Sequence, residues 1–256
     1  MPAKWYDRNR ANLPADDGRI LLGGRPLARY GAWLTSDGIE LGDLSVTTGM
    51  TSIPGRPAAD LTLEDEYGRA IPARRTITVH LVTAGSHADC LDSLTELGRL
   101  VGATCTIEDR AWEGHYEGRC TGIVHTMKPR HGAILIDLTL DALPWLIGHE
   151  RSRSLPAGTV TIPVGGNAAT PPTISLTPRG TTQIRVSDGT RIWTYTPPAS
   201  LNGGTLTIDC ANQRATYRGN PAIPDLTADW PVLTPRRATI TTNTAGTIAW
   251  RPRTIQ

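Results

Sequence analysis

The second half of the chain consists largely of short segments in which polar and apolar residues alternate. Thr173-Ile174-Ser175-Leu176-Thr177 and Leu206-Thr207-Ile208-Asp209 show the pattern most clearly. Successive side chains of a strand point to opposite faces, so a period of two indicates strands with one apolar and one hydrated face. This half contains no helical periodicity of comparable strength. We therefore predict an antiparallel β-sandwich for the second half.

The turns of this sandwich are predicted from the residues between the alternating segments. Asp188-Gly189 is typical of a hairpin turn, and Asn212 lies between the segments 206–210 and 214–218. The last two segments, 238–241 and 247–251, are interpreted as a third hairpin.

The first half combines strands with a single helix. Ile77, Val79 and Leu81 share one face of the segment 76–82 and predict a half-buried strand. Further strands are predicted at 19–22, 31–34, 104–108, 118–127 and 131–140. The first half is thus expected to be mainly β, similar to a sandwich, with one helix.

The helix prediction depends on its start signal and its apolar stripe. Ser86 and Asp89 have the spacing of a capping box, in which a hydroxyl and a carboxylate satisfy each other's backbone N–H groups. Gly102 is placed to end the helix. We expect the helix to pack on the sheet through one apolar face, formed by Leu91, Leu94, Leu97 and Val101.

A charged connector at residues 149–154 indicates the domain boundary. We predict a first domain over residues 1–156 and a second domain over residues 157–256. The first 25 or so residues contain no pattern that we can assign, and are expected to form an extended arm that orders on assembly.

Net charge, apolar runs and cysteine content limit the classes of function that the chain can have. The formal net charge of +2 gives no strong attraction to nucleic acid or to an anionic membrane. No apolar run approaches the roughly 20 residues of a membrane span, and residues 1–8 lack a signal-peptide pattern. The four cysteines are expected to be buried thiols in a chain that folds in a cytoplasm.

Catalytic and metal-binding motifs are weak. Glu113, His115 and Glu117 would share one strand face, with His125 further along, and such a set could bind zinc or transfer protons. A solvated strand face explains the same pattern, and we favour it. No nucleophile motif, phosphate loop or paired metal-ligand spacing occurs, so we predict no catalytic residue, no cofactor and no metal.

Several segments, in order along the chain, match the pattern of one known family. They are Ser52-Ile53-Pro54-Gly55-Arg56, the arginine-led strand 74–79, the closing strand 137–146, the segment 166–174 that starts the second domain, and the segments 206–209 and 229–233. Together they resemble the distal tail protein family of long-tailed bacteriophages (Dit, siphovirus tail component). One departure is Pro235-Arg236-Arg237, where the family commonly has a glycine.

The resemblance implies a structural, non-enzymatic protein. In this family, six first domains close into a ring at the end of the tail tube, and the second domains project outward. Expected partners are five further copies of the chain, the tail tube protein, the tail-associated hub or lysin protein and receptor-binding proteins. The expected location is the tail tip of a virion that is assembled in the host cytoplasm.

A carbohydrate-binding β-sandwich that acts in host-surface adhesion is the alternative function. The family's second domain is similar in fold to galectins and carbohydrate-binding modules, which stack sugars on exposed aromatic rings. Trp193 and Tyr195 lie on one strand face, opposite Ile192, and form a candidate platform. The same rings could instead fill the core of the sandwich or an interface with a neighbouring subunit.

Overall fold

The computed structural model describes residues 19–46, 50–51, 59–60, 70–128 and 132–256. Both domains are mainly β, with one α-helix among the described residues, as the sequence predicts. Residues 1–18 of the expected arm and the Pro54-Gly55-Arg56 turn lie outside the described residues.

The two compact domains divide between Leu146 and Ile147, not between residues 156 and 157 as predicted. The reason is that the charged connector is itself a strand. Residues Arg151–Leu155 pair with Gly246–Trp250, and so they belong to the second domain.

The first domain contains nine strands, the helix α1 (His87–Gly98) and a 3-10 helix (Leu27–Tyr30). Seven of the strands form one antiparallel sheet in the order β2-β1-β7-β8-β9-β6-β3, and β4 pairs with β5. The strands are β1 (Ile20–Leu22), β2 (Arg25–Pro26), β3 (Ala32–Leu41), β4 (Met50–Thr51), β5 (Ala59–Asp60), β6 (Arg75–Ala84), β7 (Thr104–Asp109), β8 (Gly114–Lys128) and β9 (Ala133–Ala142).

This sheet curls back on itself. Its outermost strands, β2 and β3, would be about 29 Å apart in a flat sheet with strands spaced 4.8 Å apart. The chain from Pro26 to Ala32 can span at most roughly 21 Å even when extended, and part of it is the 3-10 helix. The two edges must therefore approach each other, which produces the sandwich-like form expected for this domain.

Residues 19–25 are part of this sheet and do not form an arm. Strand β1 pairs with β7, so that Ile20 lies opposite Asp109. Arg19 donates two hydrogen bonds of 2.9 Å to the Asp109 carboxylate. The expected extended arm is therefore wrong for these residues.

The centre of the sheet forms the first core. Strand β6 pairs with β9 along its full length, and Ile77, Val79 and Leu81 are fully buried on the predicted face. Strands β3 and β8 extend beyond their predicted limits, each with an irregularity in its pairing. In β3 the irregularity lies between Leu34 and Ile39, directly after the predicted end, because simple alternation is lost at such a bulge.

The helix begins as predicted but packs through a partly different face. Ser86 and Asp89 form the capping box. The buried residues are Cys90, Ser93 and Leu97, and Leu94 is partly buried against the same core. Leu91 is 38% exposed and Val101 is 46% exposed, so the predicted stripe is correct for Leu94 and Leu97 and wrong for Leu91 and Val101.

Small side chains explain this rotation of the helix. Ser93 donates a hydrogen bond to the carbonyl oxygen of Gly31, and a Cβ atom at Gly31 would collide with the Ser93 hydroxyl. Close approach of the helix to this backbone favours serine and cysteine over leucine at the contact. The helix ends at Gly98, and Gly102, with φ +85°, follows the next turn.

The second domain is the predicted sandwich. One sheet has the order β11-β22-β13-β18-β19-β20 and the other has the order β12-β21-β15-β16, while β14 pairs with β17. The strands from the domain division onward are β10 (Leu146–Gly148), β11 (Arg151–Leu155), β12 (Gly158–Gly165), β13 (Thr173–Leu176), β14 (Arg179–Thr181), β15 (Ile184–Ser187), β16 (Ile192–Tyr195), β17 (Leu201–Asn202), β18 (Leu206–Asp209), β19 (Arg214–Tyr217), β20 (Asn220–Pro221), β21 (Arg236–Thr242), β22 (Gly246–Trp250) and β23 (Arg253–Thr254).

Two of the three predicted hairpins are confirmed. Strand β15 pairs with β16 across the Asp188-Gly189 turn, and β18 pairs with β19. The third is wrong, because β21 pairs with β12 and β15, whereas β22 pairs with β11 and β13. Residues 243–245 thus cross from one sheet to the other, and periodicity alone does not distinguish such a crossing from a hairpin.

All four cysteines are free and buried, as predicted. Burial raises the pKa of the Cys105 thiol to about 11 and that of the Cys210 thiol to about 12.

Alkylation of a cysteine requires an accessible thiolate. We expect the folded chain at pH 8 to resist iodoacetamide at both residues, and the urea-unfolded chain to react at all four cysteines. Mass spectrometry after timed quenching checks this, and rapid labelling of the folded chain would contradict the burial.

Candidate functional site

The predicted polar set on β8 does not form a site. Glu113 is exposed just before the strand, His115 and Glu117 are half-buried on it, and His125 is exposed. Ten residues of strand separate His115 from His125, a distance of roughly 30 Å. Among the described residues, no group of three or more His, Cys, Asp or Glu side chains is arranged to hold a metal ion.

Replacing Glu113 and His125 together with alanine is expected to leave the melting temperature nearly unchanged. Exposed polar substitutions typically alter the free energy of unfolding by about 0.5 kcal/mol or less. Thermal melts of wild type and variant, each with and without EDTA, measure this. A melting temperature that falls on chelation in wild type alone would restore the metal interpretation.

The candidate carbohydrate platform is contradicted by burial. Trp193 is fully buried, with its ring centroid 6.1 Å from that of Trp230 and 6.2 Å from that of Tyr195. Tyr195 is half-buried, and it is Ile192 that faces outward. The alternative stated above, that these rings fill the core, is the arrangement found.

His80 lies on the solvent side of the first sheet and links three strands. Its Nδ1 atom is 2.7 Å from an oxygen of Asp137 on β9, and its Nε2 atom is 3.6 Å from an oxygen of Glu40 on β3. Both carboxylates are exposed. The cluster is a cross-strand polar ladder, and its geometry gives His80 a structural role.

A surface suited to assembly lies at the outer edge of the first sheet. Strand β3 pairs with β6 on one side, and no described strand pairs with its other side. The ribbon formed by these two strands continues past the sheet, where Ala73 N–H donates to the Ser45 carbonyl oxygen. Three aliphatic residues on this continuation are exposed by 43–46%: Leu44, Val46 and Ile71. We call β3 and these three residues the β3 edge.

The edges of the four-stranded sheet in the second domain are covered or interrupted. Residues 222–229 run along β16, where Asp225 N–H donates to Thr194 O and Asp229 N–H donates to Ile192 O, each at 2.9 Å. On the opposite edge strand β12, Thr161 O accepts a hydrogen bond from Arg153 and Pro163 has no N–H to donate. Strand β3, with ten residues, is longer than any other described strand at the edge of a sheet.

This edge was not found from the sequence. Its exposed aliphatic residues are isolated in segments without regular alternation, so no sequence pattern indicated a surface there; they are Leu44, Val46 and Ile71.

In the described part of the chain, no helix has the length and apolar character that a membrane span requires.

Comparison with known families identifies the second domain. Residues 165–253 match the family model of the siphovirus-type tail component, C-terminal domain. The second domain is therefore similar to a phage tail component domain. The resemblance to the distal tail proteins that the sequence predicts is thereby confirmed. No curated protein sequence matches the chain.

A solved structure of a phage tail protein shares the fold of this chain. The Dit protein (gp 19.1) of phage SPP1 has 17% sequence identity and a TM-score of 0.72, with 92% of this chain and 98% of that chain covered. That protein is described as a hub of the adsorption apparatus in phages that infect Gram-positive bacteria. A chain of the phage P2 baseplate in its activated conformation with Ca has 11% identity and a TM-score of 0.46, over 86% of this chain and 92% of that chain.

Proposed function

We propose that the chain is a distal tail subunit, six copies of which form a ring that joins the end of the tail tube to the tail-tip hub. The observation that carries this proposal is the pairing of a tail component domain with a fold like that of SPP1 Dit over 92% of the chain. Both domains of this chain fall within that coverage.

The distribution of open sheet edges supports a ring closed by the first domain. In a head-to-tail ring, each subunit contacts its neighbours through two different surfaces. The β3 edge offers unpaired backbone groups and exposed aliphatic side chains for one of these surfaces. The covered or interrupted edges of the four-stranded sheet in the second domain leave that sheet to contact partners through side chains.

The proposed partners follow from the position in the ring. One face of the ring contacts the terminal ring of tube protein, and the other contacts the hub or lysin protein and the receptor-binding proteins. The ring lies at the tail tip of the virion and is assembled in the host cytoplasm. The proposed role is structural and involves no catalytic residue.

We expect the double variant Leu44→Glu and Val46→Glu to abolish ring formation while the monomer stays folded. Each contact between neighbouring subunits would then bury the two introduced carboxylates, and even one unpaired buried charge is costly. Sedimentation velocity measures the result, since a ring of six has six times the 27.5 kDa mass of the chain.

The matched control is Ile223→Glu with Leu226→Glu. These residues of the second domain are also aliphatic and are more exposed, at 81% and 107%. The control variant should sediment like wild type. If the two double variants behave alike, or if the Leu44 and Val46 variant still forms rings, closure does not occur through the β3 edge.

A further inference from the structure

A polar cleft of about 530 Å³ lies in the second domain, away from the aromatic residues discussed above. Its volume is within the range of roughly 300–1,000 Å³ that is usual for small-ligand sites. One side is strand β14, which contributes Arg179 and Thr181, and the other is the crossing between β21 and β22. Thr177 and Thr244 complete the hydroxyl groups of the lining.

The wall formed by the crossing is rigid. The side-chain oxygen of Asn243 accepts a hydrogen bond of 2.9 Å from Arg185 N–H, and its amide donates one of 2.8 Å to Gln183 O. Thr242 donates to the carbonyl oxygen of Thr244, whose own N–H donates back to the Thr242 hydroxyl. Asn243 is exposed and uses one of its two amide hydrogens in these contacts, so the second remains for a ligand, whereas the buried Thr244 hydroxyl donates to the Asn243 side-chain oxygen.

The charge of the cleft is positive. Arg179 is exposed, and its guanidinium has no ion-pair or hydrogen-bond partner among the described residues. No residue that lines the cleft carries a carboxylate. A guanidinium binds the oxygens of phosphate in a forked, charge-assisted geometry, whereas hydroxyl and amide groups bind sugar or polyol hydroxyls.

We propose that this cleft binds the phosphate ester of a polyol or saccharide, with Arg179 on the phosphate and the threonine and asparagine side chains on the adjoining hydroxyls. This inference goes beyond the proposed role in the tail and does not depend on ring formation. It also differs from the aromatic platform, since no aromatic ring lines the cleft.

Saturation-transfer NMR on the full-length protein tests the proposal with three ligands: glycerol 3-phosphate, inorganic phosphate and glycerol. We expect glycerol 3-phosphate to bind most tightly, inorganic phosphate more weakly, and glycerol not at all at the same millimolar concentration. Arg179→Gln should weaken binding of glycerol 3-phosphate by about tenfold or more, because the charge-assisted contact is lost.

Arg214→Gln is the matched control. Arg214 is an exposed arginine on β19 of the same domain, and it is absent from the cleft. This variant has the same change in net charge and should bind within about twofold of wild type if long-range attraction is screened by salt. Equal weakening in both variants, wild-type binding by Arg179→Gln, or no transfer to glycerol 3-phosphate would each overturn the proposal.

Discussion

Leu97→Ala is expected to lower the free energy of unfolding of the first domain by about 2–5 kcal/mol, the usual cost of a cavity at a buried leucine. Leu97 is fully buried and belongs to the core that the helix shares with the sheet. The loss is a large fraction of the total stability of an ordinary domain. Urea unfolding followed by circular dichroism measures it.

Leu91→Ala is the control for the face of the helix. Leu91→Ala is the same truncation on the same helix, but the Leu91 side chain is 38% exposed. The expected cost is less than about 1 kcal/mol, close to that of ordinary surface substitutions. A loss for Leu91→Ala as large as that for Leu97→Ala would mean that Leu91 is buried as well, as the stripe predicted from the sequence requires.

Trp193→Ala is expected to lower the free energy of unfolding of the second domain by about 3–5 kcal/mol. The side chain is fully buried against Tyr195 and Trp230, so its removal leaves a large cavity. Urea unfolding monitored by the fluorescence of the remaining tryptophans reports this change.

Ile192→Ala, at the neighbouring and outward-facing position, serves as its control. It should cost about 1 kcal/mol or less, because much of the side chain is already in water. If Trp193→Ala retained wild-type stability, the ring would be a surface feature and the carbohydrate platform would again be supported.

The contrast between Trp193 and Ile192 shows what alternation does and does not determine. The pattern correctly predicts strand β16 and places the two residues on opposite faces. It does not say which face is the core, because both faces of this strand contain apolar residues. The segment 222–230, which is distant in sequence, contributes to the burial of this face by packing Trp230 against Trp193.

Local signals predicted the helix more accurately than its packing. The capping box is set by residues three apart, and the structure confirms it. The buried face depends on the close contact between Ser93 and Gly31, which are 62 residues apart. The packing face was predicted from the leucines, whereas the small residues Ser93 and Gly31 determine how closely the helix approaches the backbone.

The pairing of strands that are distant in sequence was the feature that the sequence predicted least well. Strand β11 was interpreted as a charged linker, since its exposed Arg-Ser-Arg-Ser pattern lacks aliphatic residues until Leu155. Its partner β22 lies almost one hundred residues later and supplies the apolar face. The domain boundary and the third hairpin were wrong for this shared reason.

Electron microscopy can show directly whether the chain forms the proposed ring of six at the end of a tail tube. Negative-stain images of the purified full-length chain, alone and mixed with tail tubes, would be averaged by class. We expect sixfold rings with a central channel, free in solution or bound at one end of the tubes. Monomers that leave both tube ends bare, or closed assemblies of another symmetry, would contradict it.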